Sequence, residues 1–311
     1  MRVLRVGEPV EPEGGGSYLG KFFDRSHYDT VVQGESTRVL RPDGSQLIVL
    51  LKDAVPLDAC RVAYANLRDA AALTTNRSTA AGPVEYLHNK VRHSHATVRR
   101  IKKDGSVSRT NHAGVSVRSG IVGAFDGTSA RYPYCRLTSY TAQHMGRFRA
   151  CGPYFSAVAR AFEEGAPERY AAQMEAVAAT HPAWIIEDTP WTTVTVNRNF
   201  RTAGHRDAGD LAEGFGCLTV HKRGKFTGGL LVFPAYRIAV DWEEGDVLLA
   251  DVHEVHGNTE FKGTPGKFER LTCVFYFRAK MVHCDSPEAE IARAKRRKAG
   301  DPILRKDDGG Q

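Results

Sequence analysis

Apolar and polar positions follow two successive patterns along the chain. Gln46 to Lys52 holds an unbroken apolar run, Leu47-Ile48-Val49-Leu50-Leu51, ahead of Pro56. That length and composition predict a buried strand. Asp58 to Ala72 then places Cys60, Ala63, Tyr64, Leu67 and Ala71 on one face of a 3.6-residue period, with Asp58 as the expected cap. From Ala142 to Ala179 the period stays helical. Phe148, Cys151, Phe155, Val158, Ala159 and Phe162 recur at three and four, and a second helix after Pro167 stops near His181-Pro182. After Trp184 come short β-rich runs: Thr192 to Asn197, Gly216 to His221, Gly229 to Phe233, Arg237 to Trp242, Asp246 to Val252 and Leu271 to Arg278. Gly, Pro or charged turns separate them. Helices followed by many short strands predict an α+β chain, mainly a β core as a barrel or double sheet, with helical support on its N-terminal side.

The boundaries follow from composition. Residues 1–45 are rich in Gly, Pro and charge and are expected to be a flexible or irregular lead, with short strands at Lys21-Phe22-Phe23 and Thr30-Val31-Val32. Residues 46–281 are expected to form one domain. It has a polar, basic insert at about 76–118, helical support at about 142–180 and the strand core at about 184–281. Residues 282–311 read as a basic helix and tail. Ser286 is its cap, Pro287 its first position, Glu288 and Glu290 lie at its positive end, and Arg293 to Lys298 load the other end. The final residues, 305–311, are expected to lack structure.

Charge adds a direction. The net charge is +7 and the pI about 9.1, which favours an anionic partner such as nucleic acid. The insert concentrates that charge. Arg92, Arg99, Arg100, Lys102 and Lys103 are expected to contact a DNA backbone, with Lys103-Asp104-Gly105-Ser106 as a hairpin turn. A solvated surface hairpin is the plain alternative. No apolar run reaches the ~20 residues of a membrane span, so no membrane association is expected. The six cysteines are scattered without a Cys-x-x-Cys. They read as reduced thiols of a cytoplasmic protein, with neither a disulfide frame nor zinc expected. A monomer is expected.

The chemistry gathers at His205-Arg206-Asp207, between a strand and a Gly-containing loop. A second element, Gly245 to His256, follows about fifty residues later, and then Arg270. Two imidazoles and a carboxylate form a facial triad that leaves positions open on non-haem Fe(II). The candidate ligands are His205, Asp207 and one of His253 or His256. His256 is preferred because Gly257-Asn258-Thr259 ends the strand there, which suits an end-of-strand ligand. Arg270 suits the far carboxylate of 2-oxoglutarate, since guanidinium grips carboxylate as a rigid fork.

These residues resemble the TET/J-binding-protein family of Fe(II)- and 2-oxoglutarate-dependent DNA dioxygenases. The likeness rests on His205-Arg206-Asp207, the Gly-Asp-Val-Leu-Leu run from Gly245, His256, and Arg270-Leu271-Thr272-Cys273-Val274-Phe275-Tyr276. It spans roughly Trp184 to Met281. Upstream, Thr75-Asn76-Arg77-Ser78-Thr79-Ala80-Ala81-Gly82 and Cys135-Arg136-Leu137-Thr138 are similar to bacteriophage and J-binding-type members. The zinc-binding Cys-rich region of animal TET proteins is absent.

The resemblance implies a double-stranded β-helix (jelly-roll, cupin-like) core, with Fe(II), 2-oxoglutarate and O₂ as reaction partners. It implies that Arg270, Thr272 and Asn197 bind the co-substrate. Asn76, Arg77, Asp210 and Arg278 would meet the target nucleotide, while Phe200, Phe215 or Tyr276 stacks on the base. An ionised Asp210 would accept from a cytosine amine or the thymine N3 proton. The implied substrate is double-stranded DNA carrying a 5-methylpyrimidine, flipped out of the helix. The expected reaction converts 5-methylcytosine to 5-hydroxymethylcytosine, with further oxidation left open and thymine hydroxylation as the close rival. An oxygenase of proteins or small molecules, or a metal-free jelly-roll binding module, are readings of other classes. A phage-like form implies the cytoplasm of an infected bacterial host; a eukaryotic source would imply the nucleus.

Overall fold

The axis of the larger sheet is a single long strand, Phe261–Tyr276, bonded on one side to Thr193–Arg198 and on the other to Gly216–Gly228. The protein is described here by a computed structural model covering residues 1–87, 97–113, 115–127, 133–207 and 209–299. Across the larger sheet the strands run Arg2–Arg5, Thr37–Leu40, Gln46–Leu51, Val247–Ala250, Gly216–Gly228, Phe261–Tyr276, Thr193–Arg198, Val117–Phe125 and Arg136–Leu137. A smaller sheet runs Gly257–Asn258, Leu231–Phe233, Ile238–Val240 and Thr30–Val32.

Successive side chains of a strand point to opposite faces, so alternation divides the core in two. Val49, Leu51, Val247, Leu249, Leu271, Cys273 and Phe275 face the helices Leu57–Leu67 and Gly152–Gly165, meeting Ala63, Phe155, Val158 and Phe162. Their neighbours Ile48, Leu50, Leu248 and Ala250 face the smaller sheet, against Leu231, Phe233, Ile238 and Val240. Helices on one face and a second sheet on the other give the expected jelly-roll core with helical support.

Several expectations change. Residues 1–45 are not a loose lead: Arg2–Arg5 pairs in parallel with Thr37–Leu40, and Thr30–Val32 pairs in parallel with Ile238–Val240. Lys21-Phe22-Phe23 is a loop, but Phe23 is fully buried. Asp58 does not cap its helix; Pro56 occupies that position, and Asp58 sits in the first turn. The 142–179 region is broken into Ser139–Gln143, Met145–Ala150, Gly152–Gly165 and Pro167–Ala178.

Cys135 and Cys284 form a disulfide across a separation of 149 residues, with Cα atoms 5.8 Å apart. Only the folded sheet brings them together, which is why spacing carried no signal. Cys60, Cys151, Cys217 and Cys273 are buried free thiols. The helix Pro287–Ala299 starts where expected. It is docked, not merely solvated: Glu290 is buried and accepts from the backbone N–H groups of Cys135 and Asp285 at 2.9 and 3.0 Å. Residues 305–311 lie outside the described residues.

Candidate active site

The two motif segments are joined by their backbones. His205 and His256 exchange N–H···O bonds of 3.0 Å in both directions, and the Asp207 N–H donates to Val252 O at 3.0 Å. This close approach needs glycine on each side. A Cβ on Gly257 would lie 2.9 Å from the Ala203 carbonyl carbon, and one on Gly204 would lie 2.2 Å from Tyr18 O. Gly204 is also tied into the N-terminal loop, donating to Lys21 O and accepting from Gly20 N–H, both at 2.7 Å.

Both imidazoles are oriented by the same device. Nδ1 of His205 lies 2.8 Å from Ala203 O, and Nδ1 of His256 lies 3.0 Å from Glu254 O. A carbonyl can only accept, so each Nδ1 carries the proton and each Nε2 is left as a lone-pair ligand. These nitrogens turn toward Asp207: His205 Nε2 lies 3.5 Å from Oδ1, and His256 Nε2 lies 3.9 Å from Oδ2. One ligand atom from each of the three residues lies within 4.8 Å of the others. Burial first, then His205, holds His256 down to about 4, against the pull of Asp207. His256 is therefore neutral, as a metal ligand must be. His253 is outside this group, with Nδ1 3.1 Å from Asp251 Oδ1.

The triad opens into a cavity of ≈ 670 Å³. One face of the long strand lines it, with Arg270, Thr272, Val274 and Tyr276 in alternation, continued by Arg278. Thr195 and Asn197 come from the neighbouring strand, in register with Val274 and Thr272. The Ser119 hydroxyl donates to Asn197 Oδ1.

Arg270 is 4% exposed, and among the described residues its guanidinium has no ion pair. Aromatic rings sandwich it instead, with the guanidinium carbon 5.0 Å from the Trp242 ring centre and 5.5 Å from that of Phe261. Burial pulls Arg270 down to about 10. A buried cation without an anion is costly, so this end of the cavity is built to receive one. Trp242, another lining residue, has a buried indole N–H without a hydrogen-bond partner among the described residues. Two imidazoles, one carboxylate and a waiting guanidinium therefore fit Fe(II) together with a dicarboxylate.

Asn76, Arg77, Asp210 and Arg278 also line the cavity. The Arg77 Nε is buried without a hydrogen-bond partner among the described residues. Arg278 does pair with an acid, but a buried one: its Nε lies 3.0 Å from Asp126 Oδ2. Burial, then Asp207, pushes the Asp210 carboxyl well above the ordinary range, against Arg278. Asp210 faces Arg278 across an isolated β-bridge at this end of the cavity.

Of the three aromatics proposed for stacking, Phe200 and Tyr276 line the cavity, while Phe215 belongs to the core facing the helices. Lys102 and Lys103 are exposed at the hairpin turn between Thr97–Ile101 and Val107–Ala113. Arg92 lies outside the described residues. Arg99 and Arg100 lie on the strand Thr97–Ile101, and their side chains are outside the described set. Sequence reasoning missed Phe125 and Trp242, which line the cavity, and Asp126 behind Arg278. Phe125 ends the strand Val117–Phe125, and nothing in the sequence marks which face that strand presents.

Comparison with known proteins agrees with this geometry. A Tet/JBP family model, described as the oxygenase domain of the 2OGFeDO superfamily, matches residues 120–279. Thymine dioxygenase JBP1 of Trypanosoma brucei brucei is 38% identical over 191 residues, covering 60% of this chain and 22% of its own length. Thymine dioxygenase JBP1 of Leishmania braziliensis is 32% identical over 289 residues, covering 91% of this chain and 31% of its own. The chain thus spans less than a third of the length of these relatives. The solved structure of NgTET1 in complex with 5mC DNA superposes with a TM-score of 0.53 at 14% identity, covering 86% of this chain and 89% of that one. That likeness is one of fold.

Proposed function

Because the chain belongs to the Tet/JBP oxygenase family, whose domain uses Fe(II) and 2-oxoglutarate, we propose that it hydroxylates the 5-methyl group of a pyrimidine in DNA, with thymine as the base. The observation that carries this reading is one cavity holding the His205, Asp207 and His256 cluster, the unpaired Arg270, and a separate group of polar residues around Arg278. Relatives named thymine dioxygenase, matching up to 91% of the chain, support thymine as the base.

Fe(II) bound with 2-oxoglutarate and O₂ supplies the oxidation: one oxygen atom goes to the methyl carbon and the other to succinate, with loss of CO₂. The chain's residues position and protect. His205 Nε2, His256 Nε2 and the Asp207 carboxylate would hold the metal. Arg270 would pair with the far carboxylate of the co-substrate, and Thr272, next on the same strand face, would offer it a hydroxyl donor. Ser119 occupies Asn197 Oδ1, so the amide N–H is what Asn197 offers the cavity.

The methyl group of a stacked base cannot enter such a cavity, so the nucleotide must leave the helix at a cost of a few kcal/mol. Phe200 and Tyr276 offer rings to the extruded base. Asn76 and Arg77 line the same opening, and the exposed Lys102 and Lys103 suit the DNA backbone.

The test is direct. The protein is incubated with Fe(II), 2-oxoglutarate and O₂ together with unmethylated or 5-methylcytosine-containing duplex, and the digested nucleosides are identified by mass spectrometry. The expected product is 5-hydroxymethyluracil from both duplexes. Product from 5-methylcytosine alone would make that the substrate base. Succinate formation with neither base altered would defeat the DNA reading.

A further inference from the structure

Four arginines line the cavity, Arg77, Arg206, Arg270 and Arg278; Arg270 lies on the long strand and Arg278 two residues past its end. Arg270 has its own task at the co-substrate end. Arg278 must answer to something else.

Its surroundings fix it from several directions. Its backbone N–H lies 3.1 Å from the Thr192 hydroxyl oxygen. Its Nε is bound to Asp126, and its guanidinium carbon stands 4.2 Å from the centre of the Phe125 ring. Asp126 is 2% exposed, and among the described residues its second oxygen, Oδ1, has no hydrogen-bond partner. Burying a carboxylate this deeply for one hydrogen bond is expensive unless the guanidinium it orients has work to do. On either side of Arg278 the backbone is bonded to the triad's own loop: Leu211 N–H donates to Phe277 O at 2.9 Å, and Ala279 N–H to Gly209 O at 3.0 Å. Arg278 is therefore tied to the loop that follows Asp207.

We infer that Asp126 and Phe125 position Arg278 to read the C4 substituent of the flipped base, making this unit the discriminator between thymine and 5-methylcytosine. The inference rests on the base-pocket reading above. With the C5 methyl directed at the triad, the neighbouring ring substituent is the one on C4. Thymine carries a carbonyl oxygen there, and cytosine an amine. A guanidinium only donates. It satisfies the thymine O4 and leaves the cytosine amine facing another donor, and a polar site with such a mismatch rejects strongly. Asp126 is a positioning residue: it touches Arg278, and Arg278 touches the base.

The experiment compares wild type with Asp126→Asn, Asp126→Glu and Arg278→Gln. It measures kcat/KM on thymine and 5-methylcytosine in otherwise identical duplexes. Fe(II) affinity and thermal midpoint report on the fold. The expected result is a fall of at least about tenfold in the thymine to 5-methylcytosine ratio for Asp126→Asn and Arg278→Gln, with partial recovery in Asp126→Glu. Arg278→Gln offers an amide oxygen and should gain on the amine-bearing base in absolute terms. If the ratio stays within twofold while overall activity falls, Asp126 is only structural and the inference is overturned. If the wild type consumes 2-oxoglutarate but oxidises neither base, the base-pocket reading itself is what has failed.

Discussion

At the scale of single residues, Arg270 is the clearest case of function bought with stability. It is buried, has no ion pair among the described residues, and is drawn down to about 10 by its burial. An uncompensated buried charge costs several kcal/mol, and an apolar residue of similar size is often neutral or stabilising in its place. Arg270→Met is therefore expected to raise the melting temperature of the ligand-free protein while abolishing 2-oxoglutarate consumption. Adding 2-oxoglutarate in the presence of a redox-inert divalent metal should raise the wild-type midpoint, since a ligand that binds only the folded state stabilises it. It should leave the variant unmoved. A variant less stable than wild type without ligand, or one still stabilised by 2-oxoglutarate, would refute the assignment. Arg270 could be read from sequence because the spacing to His256 and the β-rich run around it gave it a strand and a direction. Asp126 could not, because an isolated Asp after a strand has no pattern to set it apart from any surface acid.

At the scale of elements, the metal cluster depends on how closely three chain segments approach. His205 and His256 are locked by a reciprocal backbone bridge, and the N-terminal loop at Tyr18 to Phe23 packs behind Gly204. Gly204→Ala would set a Cβ 2.2 Å from Tyr18 O and 2.7 Å from the Phe23 ring. Backbone cannot yield as a flexible side chain does, so the loop must move away. The expected cost is about 2–3 kcal/mol, in the range of overpacked core sites. Fe(II) affinity should fall with it, because His205 follows directly. Chemical denaturation and metal titration measure the two effects. An alanine variant with wild-type stability and iron affinity would show that the loop does not support the site. This support was hidden in the sequence: residues 1–45 as a whole are rich in Gly, Pro and charge, and that composition reads as a loose lead even where one ring is fully buried. The strands themselves were legible, because period-two alternation separates Thr272, Val274 and Tyr276 from Leu271, Cys273 and Phe275 without any knowledge of partners.

At the scale of the whole molecule, the C-terminal helix is joined to the far edge of the larger sheet. The Cys135–Cys284 bridge, the buried Glu290 and a cluster containing Trp184, Phe277 and Met281 make that joint. Arg278 lies one residue beyond Phe277, so the joint also backs the end of the cavity assigned to the base. Pairing of the two cysteines could not be seen along the chain, because the link exists only once the sheet has closed. A crosslink over 149 residues restricts the unfolded chain strongly, and removing a native one typically costs about 2–4 kcal/mol. A reducing agent should accordingly lower the denaturant midpoint of the wild type and leave that of a Cys135→Ser/Cys284→Ser variant unchanged. The same treatment should reduce oxidation of the proposed base more than 2-oxoglutarate binding, since Arg278 lies near the joint and Arg270 eight positions from it along the chain. Equal loss of both would mean that reduction loosens the whole core, and no change in the midpoint would mean that the bridge does not form in solution.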